Sequence, residues 1–326
     1  MRVQQLSEKA QTAVREPWKI PQWLKARSTG PARRAVTWLA SPLSTQEYRL
    51  QELRQDDEWL LIVLDACRYD IFNDIASEYF EGRIERVRSA GHDTFEYVRL
   101  CWPGEYEFPY VSGATPINSQ ERDYDDPHFQ QLYQGYVPAE HLNIVDVWDF
   151  GWDESLGTCP PEAVTDAALA QDSDRLVAHY FQPHAPYLGR ASLLGHAGNE
   201  HASPHDGLPV DKPIWDDVER GRISEQELRQ AYCSNLWVAL TEVCRLIREV
   251  DHDRIVIMGD HGEALGEWNV YSHPRTPHPK IRTVPWIDVQ GLTALGEQAA
   301  ETAEPVERSR QTDGDVEERL EVLGYV

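Results

Sequence analysis

Three short apolar runs, each ending abruptly in polar residues, constrain the fold of this chain more than any other feature of its sequence. They cover residues 59–64 (WLLIVL), 176–181 (LVAHYF) and 255–258 (IVIM), and residues 285–289 (PWIDV) form a fourth candidate. Short runs that are apolar on both faces are typical of central strands in a parallel sheet covered by helices. The runs therefore predict strands of such a sheet, at whose carboxyl ends ligands bind.

Helical patterns lie between these runs. In residues 224–250, apolar or semi-polar side chains recur at spacings of three and four, and Ser224 with Glu227 forms a capping-box signature at the start. Residues 161–170 read as a shorter helix that is entered through Pro160 and Pro161. This alternation predicts an α/β fold with a doubly wound, mostly parallel sheet flanked by helices.

The charge balance is strongly acidic, with 31 Lys and Arg against 55 Asp and Glu and a formal net charge of −24. A surface of this sign repels the phosphates of nucleic acids, so we do not expect the chain to bind DNA or RNA. Because the acidic excess is spread along the chain, we interpret it as an adaptation to a salt-rich solvent, as in halophilic archaea.

The N-terminal stretch departs from this balance. Residues 1–54 carry ten Lys or Arg and four Asp or Glu, together with Trp18, Trp23 and Trp38. We predict a basic extension that either makes peripheral membrane contact or touches a partner, or packs on the acidic body of the protein itself. It lacks the apolar segment of a secretory signal, and no run in the sequence approaches the ~20 apolar residues that span a bilayer.

The five cysteines are scattered, at positions 67, 101, 159, 233 and 244. Their odd number and irregular spacing indicate neither a disulfide framework nor a structural zinc site. Scattered cysteines fit a reducing compartment, so we expect a cytoplasmic protein.

We assign residues 55–293 to an α/β catalytic domain. Within it, residues 187–223 combine Gly, Pro, His and Asp with little periodicity, which predicts an insertion or lid loop. Residues 294–326 form an acidic C-terminal segment, with a mobile surface stretch to about residue 315 and a short docking helix over residues 316–326.

Candidate metal ligands follow two of the apolar runs. Asp65 comes directly after the first run, and Asp260 and His261 follow the third. A carboxylate at a strand end suits a hard cation, although Asp65 could instead cap the next helix. Asp260 and His261 can turn toward one ion if Gly262 lets the chain bend. Mixed nitrogen and oxygen ligands favour zinc, manganese or iron over calcium.

Further imidazoles follow the same strand ends. His184 comes just after the second run, and His273 and His278 follow the third. They could bind a second metal or a substrate oxyanion, and any one of them could be an ordinary surface residue.

The ordered segments LLIVLDACRYD, HYFQPHAPY, IVIMGDHGEALGE, YSHP and VPWI, with the closing ERLEVLGYV, resemble archaeal sulfatase-like members of the alkaline phosphatase superfamily. The resemblance covers residues 58–326 and implies an alkaline phosphatase-like fold. It implies that Asp65, Asp260 and His261 bind a metal. It further implies that His273 and His184 bind either a second metal or the oxyanion of the substrate.

The resemblance also implies a nucleophile at the start of a helix. Residues 84–102 (IERVRSAGHDTFEYVRLCW) read as strand, turn and helix, which places Thr94 at the helix start. A helix N-terminus favours a developing alkoxide and an anionic ester. Thr94 is our candidate nucleophile and a further metal ligand, with Ser89 as the second choice. The alternative is that Thr94 only caps its helix.

The sequence departs from true sulfatases in three places. It lacks the C/S-x-P-x-R motif that yields formylglycine, since Cys67 is followed by Arg68 without a proline in place. Ala66 stands where sulfatases often carry a second aspartate, and His261 stands where they commonly carry asparagine. These departures favour a Thr or Ser nucleophile with a transition metal over calcium and formylglycine.

We therefore predict a metal-dependent hydrolase of phosphate- or sulfate-type esters that uses one or two divalent ions, zinc, manganese or magnesium. His184 would assist the reaction. Arg68 would either steady the nonbridging oxygens of the anionic substrate or be an exposed or salt-bridged residue. The alternatives are a phosphotransferase acting on lipid- or glycan-linked phosphate and a non-catalytic sulfatase-like binding module.

Overall fold

The computed structural model describes residues 43–120, 127–189, 191, 193 and 212–303. Its strands, in chain order, are β1 (Trp59–Asp65), β2 (Phe80–Glu81), β3 (Glu85–Arg88), β4 (Tyr106–Ser112), β5 (Leu142–Asp146), β6 (Arg175–Pro183), β7 (Ile255–Gly259), β8 (Ala264–Leu265), β9 (Tyr271–Ser272), β10 (Thr283–Val289) and β11 (Gly291–Leu292). Three of the predicted runs therefore lie within β1, β6 and β7, and the fourth lies within β10.

The helices, in chain order, are α1 (Gln46–Leu53), α2 (Tyr69–Ala76), α3 (Thr94–Cys101), α4 (Pro127–Tyr133), α5 (Pro138–His141), α6 (Val147–Phe150), α7 (Pro161–Leu169), α8 (Lys212–Glu219), α9 (Glu225–Glu249), α10 (Pro279–Arg282) and α11 (Ala294–Thr302), with a 3-10 turn at Glu267–Asn269. Within the described ranges, no helix has the length and apolar character needed to cross a bilayer.

Seven strands form one sheet in the order β3-β10-β7-β1-β6-β4-β5. The five strands from β7 to β5 pair in parallel. The predicted α/β fold with a mostly parallel sheet is confirmed. Two small sheets accompany it, one of β2 with β11 and one of β8 with β9.

The fourth apolar run differs from the prediction in direction. Strand β10 is antiparallel to both of its neighbours, β3 and β7. A parallel connection needs a crossover helix that covers one face of the sheet. The segment between β7 and β10 contains only the β8–β9 hairpin, a 3-10 turn and the four-residue α10, so the chain returns in the opposite direction.

Helices cover both faces of the sheet. Alternate residues of β1 point to opposite sides: Leu60, Ile62 and Leu64 lie in one apolar cluster with residues of α2, α7 and α9. Leu61 and Val63 lie in a second cluster with residues of α1 and α3. All seven residues of β1 are buried, which is why its sequence reads as a continuous apolar run. The arrangement is the doubly wound one predicted.

Helix α9 begins with the predicted capping box. The side chain of Ser224 accepts a hydrogen bond from the Glu227 amide at 3.2 Å, and the Glu227 carboxylate accepts one from the Ser224 amide at 2.8 Å. Two of the otherwise unpaired amides at the helix start are thereby satisfied, so the local sequence fixes where this 25-residue helix starts.

Helices occupy parts of the three segments predicted to lie outside the regular core. Helix α1 falls within residues 1–54, yet its Leu50 and Leu53 are fully buried, so residues 46–53 belong to the α/β domain. Helix α11 buries Ala299 and Ala300 in the apolar cluster that includes α9, so the predicted mobile stretch is wrong for residues 294–302. Helix α8 lies within the predicted insertion. Residues 1–42, most of the insertion and the predicted helix over residues 316–326 lie outside the described residues.

Candidate functional site

The ends of β1 and β7 lie side by side at one edge of the sheet, and each carries a buried carboxylate. Leu64 pairs with Gly259 in the parallel register, and the Asp260 amide donates to the Leu64 carbonyl at 3.3 Å. Asp65 is the last residue of β1, and its side chain and that of Asp260 are buried. Asp65 caps no helix, because Arg68 is the N-cap residue of α2. The two strand ends therefore present their carboxylates together.

Helix α3 brings a hydroxyl to these two carboxylates. Oγ1 of Thr94, the first residue of α3, lies 2.9 Å from Oδ2 of Asp260 and 3.2 Å from Oδ2 of Asp65. The helix is capped by Asp93, whose side chain accepts a hydrogen bond from the Glu96 amide at 2.7 Å. Because Asp93 fills the cap position, the alternative in which Thr94 is the capping residue is wrong.

The second-choice nucleophile, Ser89, is bonded away from the carboxylates. Its hydroxyl donates to the Gly91 carbonyl at 2.7 Å and accepts from Nε of Arg282 at 3.2 Å. Ser89 therefore shapes the turn that leads into α3, and Thr94 is the hydroxyl that the structure places between the carboxylates.

His261 completes the group. Its Nδ1 lies 3.0 Å from the Gly262 carbonyl oxygen. Because a carbonyl can only accept a hydrogen bond, Nδ1 carries a proton, and in the neutral ring Nε2 presents a lone pair. Nε2 lies 3.3 Å from Oδ1 of Asp65, 3.5 Å from Oδ2 of Asp260 and 3.5 Å from Oγ1 of Thr94. One imidazole nitrogen, two carboxylates and a hydroxyl thus converge on one point.

Gly262 contributes through close packing and not through a left-handed bend. It is not among the glycines with a positive φ. A Cβ at this position would lie 2.1 Å from the Lys280 carbonyl oxygen, and the Gly262 amide donates to the Ile281 carbonyl at 2.8 Å. The predicted reason for this glycine is therefore corrected: the loop passes too close to the backbone of the neighbouring segment for any side chain.

The loop after Asp65 is held in a left-handed conformation at Ala66, whose φ is 58°. The Ala66 amide donates to Oδ1 of Asp260 at 2.9 Å. The hydroxyl of Tyr232 on α9 donates to the Ala66 carbonyl at 2.8 Å and accepts from the Arg68 amide at 2.9 Å. Helix α9 thereby fixes the turn that orients the two carboxylates.

The group carries excess negative charge in a buried position. Burial and the nearby Asp65 carboxylate raise the pKa of Asp260 to about 7. Burial also opposes ionisation of Asp65, but its interactions with His261 and His184 outweigh this and hold the pKa of Asp65 well below its usual value. Burial acts to lower the pKa of His261, whereas the two carboxylates raise it to about 9. A bound cation would neutralise this charge.

A second group lies next to the first. Nε2 of His184 and Nε2 of His273 are 3.3 Å apart, and the ring centroids of His261 and His273 are 4.5 Å apart. Ligand atoms of His184, Glu263 and His273 lie within 4.8 Å of one another. The Nδ1 atom of His184 faces the Ala185 carbonyl at 2.6 Å, so its Nε2 presents the lone pair in the neutral ring.

Two members of these groups were not assigned from the sequence. Glu263 stands in the same DHGE block as His261 and is fully buried, so its position in the block was the available signal. His179 lies in the apolar run of β6, and its ligand atom lies within 4.8 Å of those of Asp65 and Asp260. Because His179 lies within a buried strand, the sequence gave no reason to distinguish it from residues that only pack in the core.

The His179 ring is fully buried and oriented by Tyr110, whose hydroxyl lies 2.9 Å from Nδ1. Its Nε2 has no hydrogen-bond partner in the described part of the chain. Burial lowers the pKa of His179 to about 4, so the ring is neutral at neutral pH.

Two other predicted residues lie elsewhere. Arg68 is fully buried and forms two hydrogen bonds with Asp70, at 2.8 and 3.0 Å, and one with Glu267 at 2.8 Å. Arg68 therefore has the salt-bridged arrangement, and its contact with the substrate stays a prediction. His278 caps α10, where its Nδ1 accepts from the Lys280 amide at 3.2 Å.

These residues fit a divalent metal ion. Carboxylates, an imidazole lone pair and a hydroxyl form a mixed donor set of the kind that binds zinc or manganese. Oδ1 of Asp65 is buried and lies 3.3 Å from Nε2 of His261, so a cation between them could take both atoms as ligands. Two groups among the described residues could hold an ion, one around Asp65 and Asp260 and one around His184 and His273.

The chain matches no protein-family profile and no curated protein. Similar solved structures include the soluble domain of lipooligosaccharide phosphoethanolamine transferase A from Neisseria meningitidis, with 15% identity over 74% of this chain and 78% of that one and a TM-score of 0.42. The phosphonate monoester hydrolase of Agrobacterium radiobacter has 12% identity over 72% and 68% and a TM-score of 0.39. A putative sulfatase from Bacteroides thetaiotaomicron has 14% identity over 72% and 65% and a TM-score of 0.38. The likeness is low by both measures, so the case for a function rests on the geometry of the site.

Proposed function

We propose that the protein is a metal-dependent enzyme that cleaves phosphate- or sulfate-type esters and that Thr94 is its nucleophile. The observation that carries this proposal is the position of the Thr94 hydroxyl, 2.9 Å from Asp260 and 3.2 Å from Asp65 at the first turn of α3. A capping threonine would turn its oxygen to the amides of its own helix. The sequence resemblance to the sulfatase-like branch of the alkaline phosphatase superfamily supports the same assignment.

Asp65, Asp260 and His261 would hold the ion, with Thr94 as a further donor. When bound, a divalent ion lowers the pKa of a coordinated hydroxyl and polarises the ester oxygens. The imidazole in the donor set favours zinc or manganese over magnesium, which prefers oxygen ligands alone.

In the first step, Oγ1 of Thr94 attacks the phosphorus or sulfur atom of the ester. A bond forms between Oγ1 and that atom, the bond to the leaving alcohol breaks, and the hydroxyl proton passes to solvent water, because Asp260 would be bound to the ion. The positive end of α3 stabilises the negative charge on the attacking oxygen. His184 and His273 lie beside the centre, and where no second ion is bound, the protonated form of His184 can donate its Nε2 proton to the leaving alkoxide.

In the second step, the Thr94 ester is released and Thr94 regains its proton. If water attacks, the protein is a hydrolase. If the hydroxyl of an acceptor attacks, it is a phosphotransferase acting on a larger substrate, and both outcomes use the same residues up to this point.

The test is an assay of the zinc- and manganese-loaded full chain on aryl phosphate, phosphodiester and sulfate esters. Rapid quenching followed by mass spectrometry should find the transferred group on Thr94. We expect Thr94→Ala to abolish this adduct and to lower kcat by at least about 10³-fold, as loss of a nucleophile does elsewhere. Alcohol acceptors added to the assay separate transfer from hydrolysis.

The matched control is Ser89→Ala, which removes a buried hydroxyl from the turn before α3 without touching the carboxylates. It should keep the adduct and most of the activity. Unchanged turnover in Thr94→Ala, or a wild-type protein that binds metal yet cleaves none of these esters, contradicts the proposal. The second result favours the non-catalytic binding module.

A further inference from the structure

The side-chain amide of Gln46, in the first turn of α1, bonds to two of the loops that build the candidate centre. Its Nε2 donates to the carbonyl oxygens of Gly259 at 2.5 Å and Asp260 at 2.8 Å. Its Oε1 accepts from the Ala90 amide at 2.6 Å. The residue has no exposed surface. Every one of these partners is backbone, so the contacts do not depend on the identity of the residues they reach.

The orientation of this amide is fixed by its partners. The two carbonyls can only accept hydrogen bonds, and the Ala90 amide can only donate one. In the reversed orientation, the side-chain oxygen of Gln46 would face the two carbonyl oxygens, and its NH₂ group would face the N–H of Ala90. Both N–H groups of Gln46 are therefore committed to consecutive carbonyls at the end of β7.

The two loops that Gln46 joins carry the nucleophile and a metal ligand. Asp260 directly follows β7, and Ala90 lies in the turn between β3 and α3, four residues before Thr94. Strands β3 and β7 are not neighbours, because β10 lies between them in the sheet. No ladder of the sheet joins these two loops directly, so Gln46 supplies a link that the strand pairing does not.

We propose that Gln46 is a positioning residue of the centre, which holds Thr94 at its distance from Asp260 by tying their loops together. This inference rests on the function proposed for Thr94 and Asp260. Gln46 touches neither the reacting hydroxyl nor a ligand side chain, so it acts through the backbone. The region before β1 thereby becomes a component of the active centre.

Loss of this amide leaves two adjacent carbonyls and one amide buried without their partners. The loops can then satisfy these groups only by moving toward water or toward each other. A displacement of about 1 Å in a reacting group can lower turnover by about 100-fold. Supporting residues around metal ligands typically contribute about 10–100-fold to metal affinity.

The test compares the full-length wild type with Gln46→Met, which keeps the length of the side chain and removes its hydrogen bonds. We expect zinc to bind about 10–100-fold more weakly, by competition with a chromophoric chelator. The visible spectrum of the cobalt-substituted protein should change, because the ligand geometry changes. On aryl phosphate, kcat should fall by about 10–100-fold while KM stays within about 3-fold.

Arg49→Met is the matched control on the same helix. Arg49 pairs with Glu85 of β3 at 3.0 Å and bonds to neither site loop. It should lower the melting temperature while zinc affinity, the cobalt spectrum and kcat stay as in the wild type. Gln46→Glu is the second variant, for use if Gln46→Met does not fold. It keeps an acceptor for Ala90 but sets an oxygen against the two carbonyls, and it should show the same losses.

A Gln46 variant that is less stable but keeps wild-type zinc affinity, cobalt spectrum and kcat overturns the inference and leaves Gln46 with a purely structural role. In that case the proposed function stands. If the wild type itself neither binds zinc nor cleaves the esters, the proposed function fails, and the role of Gln46 fails with it.

Discussion

Nε2 of His184 lies 3.3 Å from Nε2 of His273, although the two residues are 89 positions apart. Two imidazole nitrogens at this distance share either a proton or an ion, and the Ala185 carbonyl holds the proton of His184 on its other nitrogen. The buried carboxylate of Glu263 stands with them. The pair is thus arranged to accept a cation next to the first group.

We predict that the wild type binds two equivalents of zinc and that His184→Ala removes the weaker one. Glu263→Gln should have the same effect, since both variants leave the donors around Asp260 in place. Metal analysis after gel filtration gives the stoichiometry. His141→Ala is the control. His141 is also a partly buried imidazole, but it is bonded to the Gly104 carbonyl at 3.0 Å, near strands β4 and β5. A wild type that holds one equivalent would assign the imidazole pair to oxyanion binding.

The metal-free protein should lose stability as the pH rises from about 6 to about 9. The raised pKa of Asp260, about 7, and of His261, about 9, mean that protons on these groups stabilise the fold at low pH and are lost as the pH rises through those values. The lowered pKa of Asp65 acts in the opposite sense, but its contribution is lost only in strong acid, outside this window. Thermal unfolding in a chelator measures the slope.

Asp260→Asn should flatten this pH dependence, because it removes the carboxylate that titrates near neutrality and weakens the field that raises the pKa of His261. Zinc should flatten it in the wild type, because the bound ion displaces the same protons. A metal-free wild type whose melting temperature rises between about pH 6 and pH 9 would contradict the assignment.

We predict that His179→Gln weakens zinc binding by about 10–100-fold, because it removes a buried ring whose free nitrogen faces the carboxylate pair. Tyr110→Phe should cause a smaller loss, since it removes only the hydrogen bond that orients the ring. Chelator competition measures both. Zinc affinity equal to that of the wild type in both variants would identify His179 as a packing residue.

Arg68→Met should act on stability and not on chemistry. It removes the partner that Asp70 and Glu267 share, although Asp70 keeps Lys280 and Glu267 keeps Arg229. Breaking a buried ion pair typically lowers the free energy of unfolding by about 3–5 kcal/mol. Because both carboxylates are partly exposed, we expect the lower end of that range. Arg220→Met, which breaks an exposed pair with Asp216, should cost no more than about 1 kcal/mol. A folded Arg68→Met with greatly reduced kcat would restore the substrate role.

The strand ends were predictable because periodicity and strand termination are local properties of sequence. Asp65, Asp260 and His261 stand where buried runs stop, and parallel strands bring such ends together. Thr94 needed the family resemblance in addition, because a threonine at a helix start has a common structural role. The direction of β10 depended on what the connection from β7 contains, which the apolar run itself does not encode.

The remaining residues were hidden by context. His179 lies inside an apolar run, where an imidazole reads as part of the core. Gln46 lies in a stretch whose basic charge predicted an extension, and its role depends on two loops more than 40 and 200 residues away in sequence. Arg68 follows Asp65 closely enough to suggest a shared site, yet its side chain turns to carboxylates of its own protein. Hydrogen bonds between polar groups that are distant in the chain produce no periodic pattern in the sequence.

The left-handed backbone at Ala66 links the stability of the fold to the metal preference that we propose for the centre. Alanine in this conformation costs about 1–2 kcal/mol, whereas glycine adopts it freely and aspartate and asparagine adopt it more readily than alanine. Glycine would relax the turn and add no ligand. Aspartate would relax the turn and place a third carboxylate beside Asp65, which would move the preference of the centre from transition metals toward harder ions. We therefore expect a change at this one position to alter the metal preference proposed for the centre.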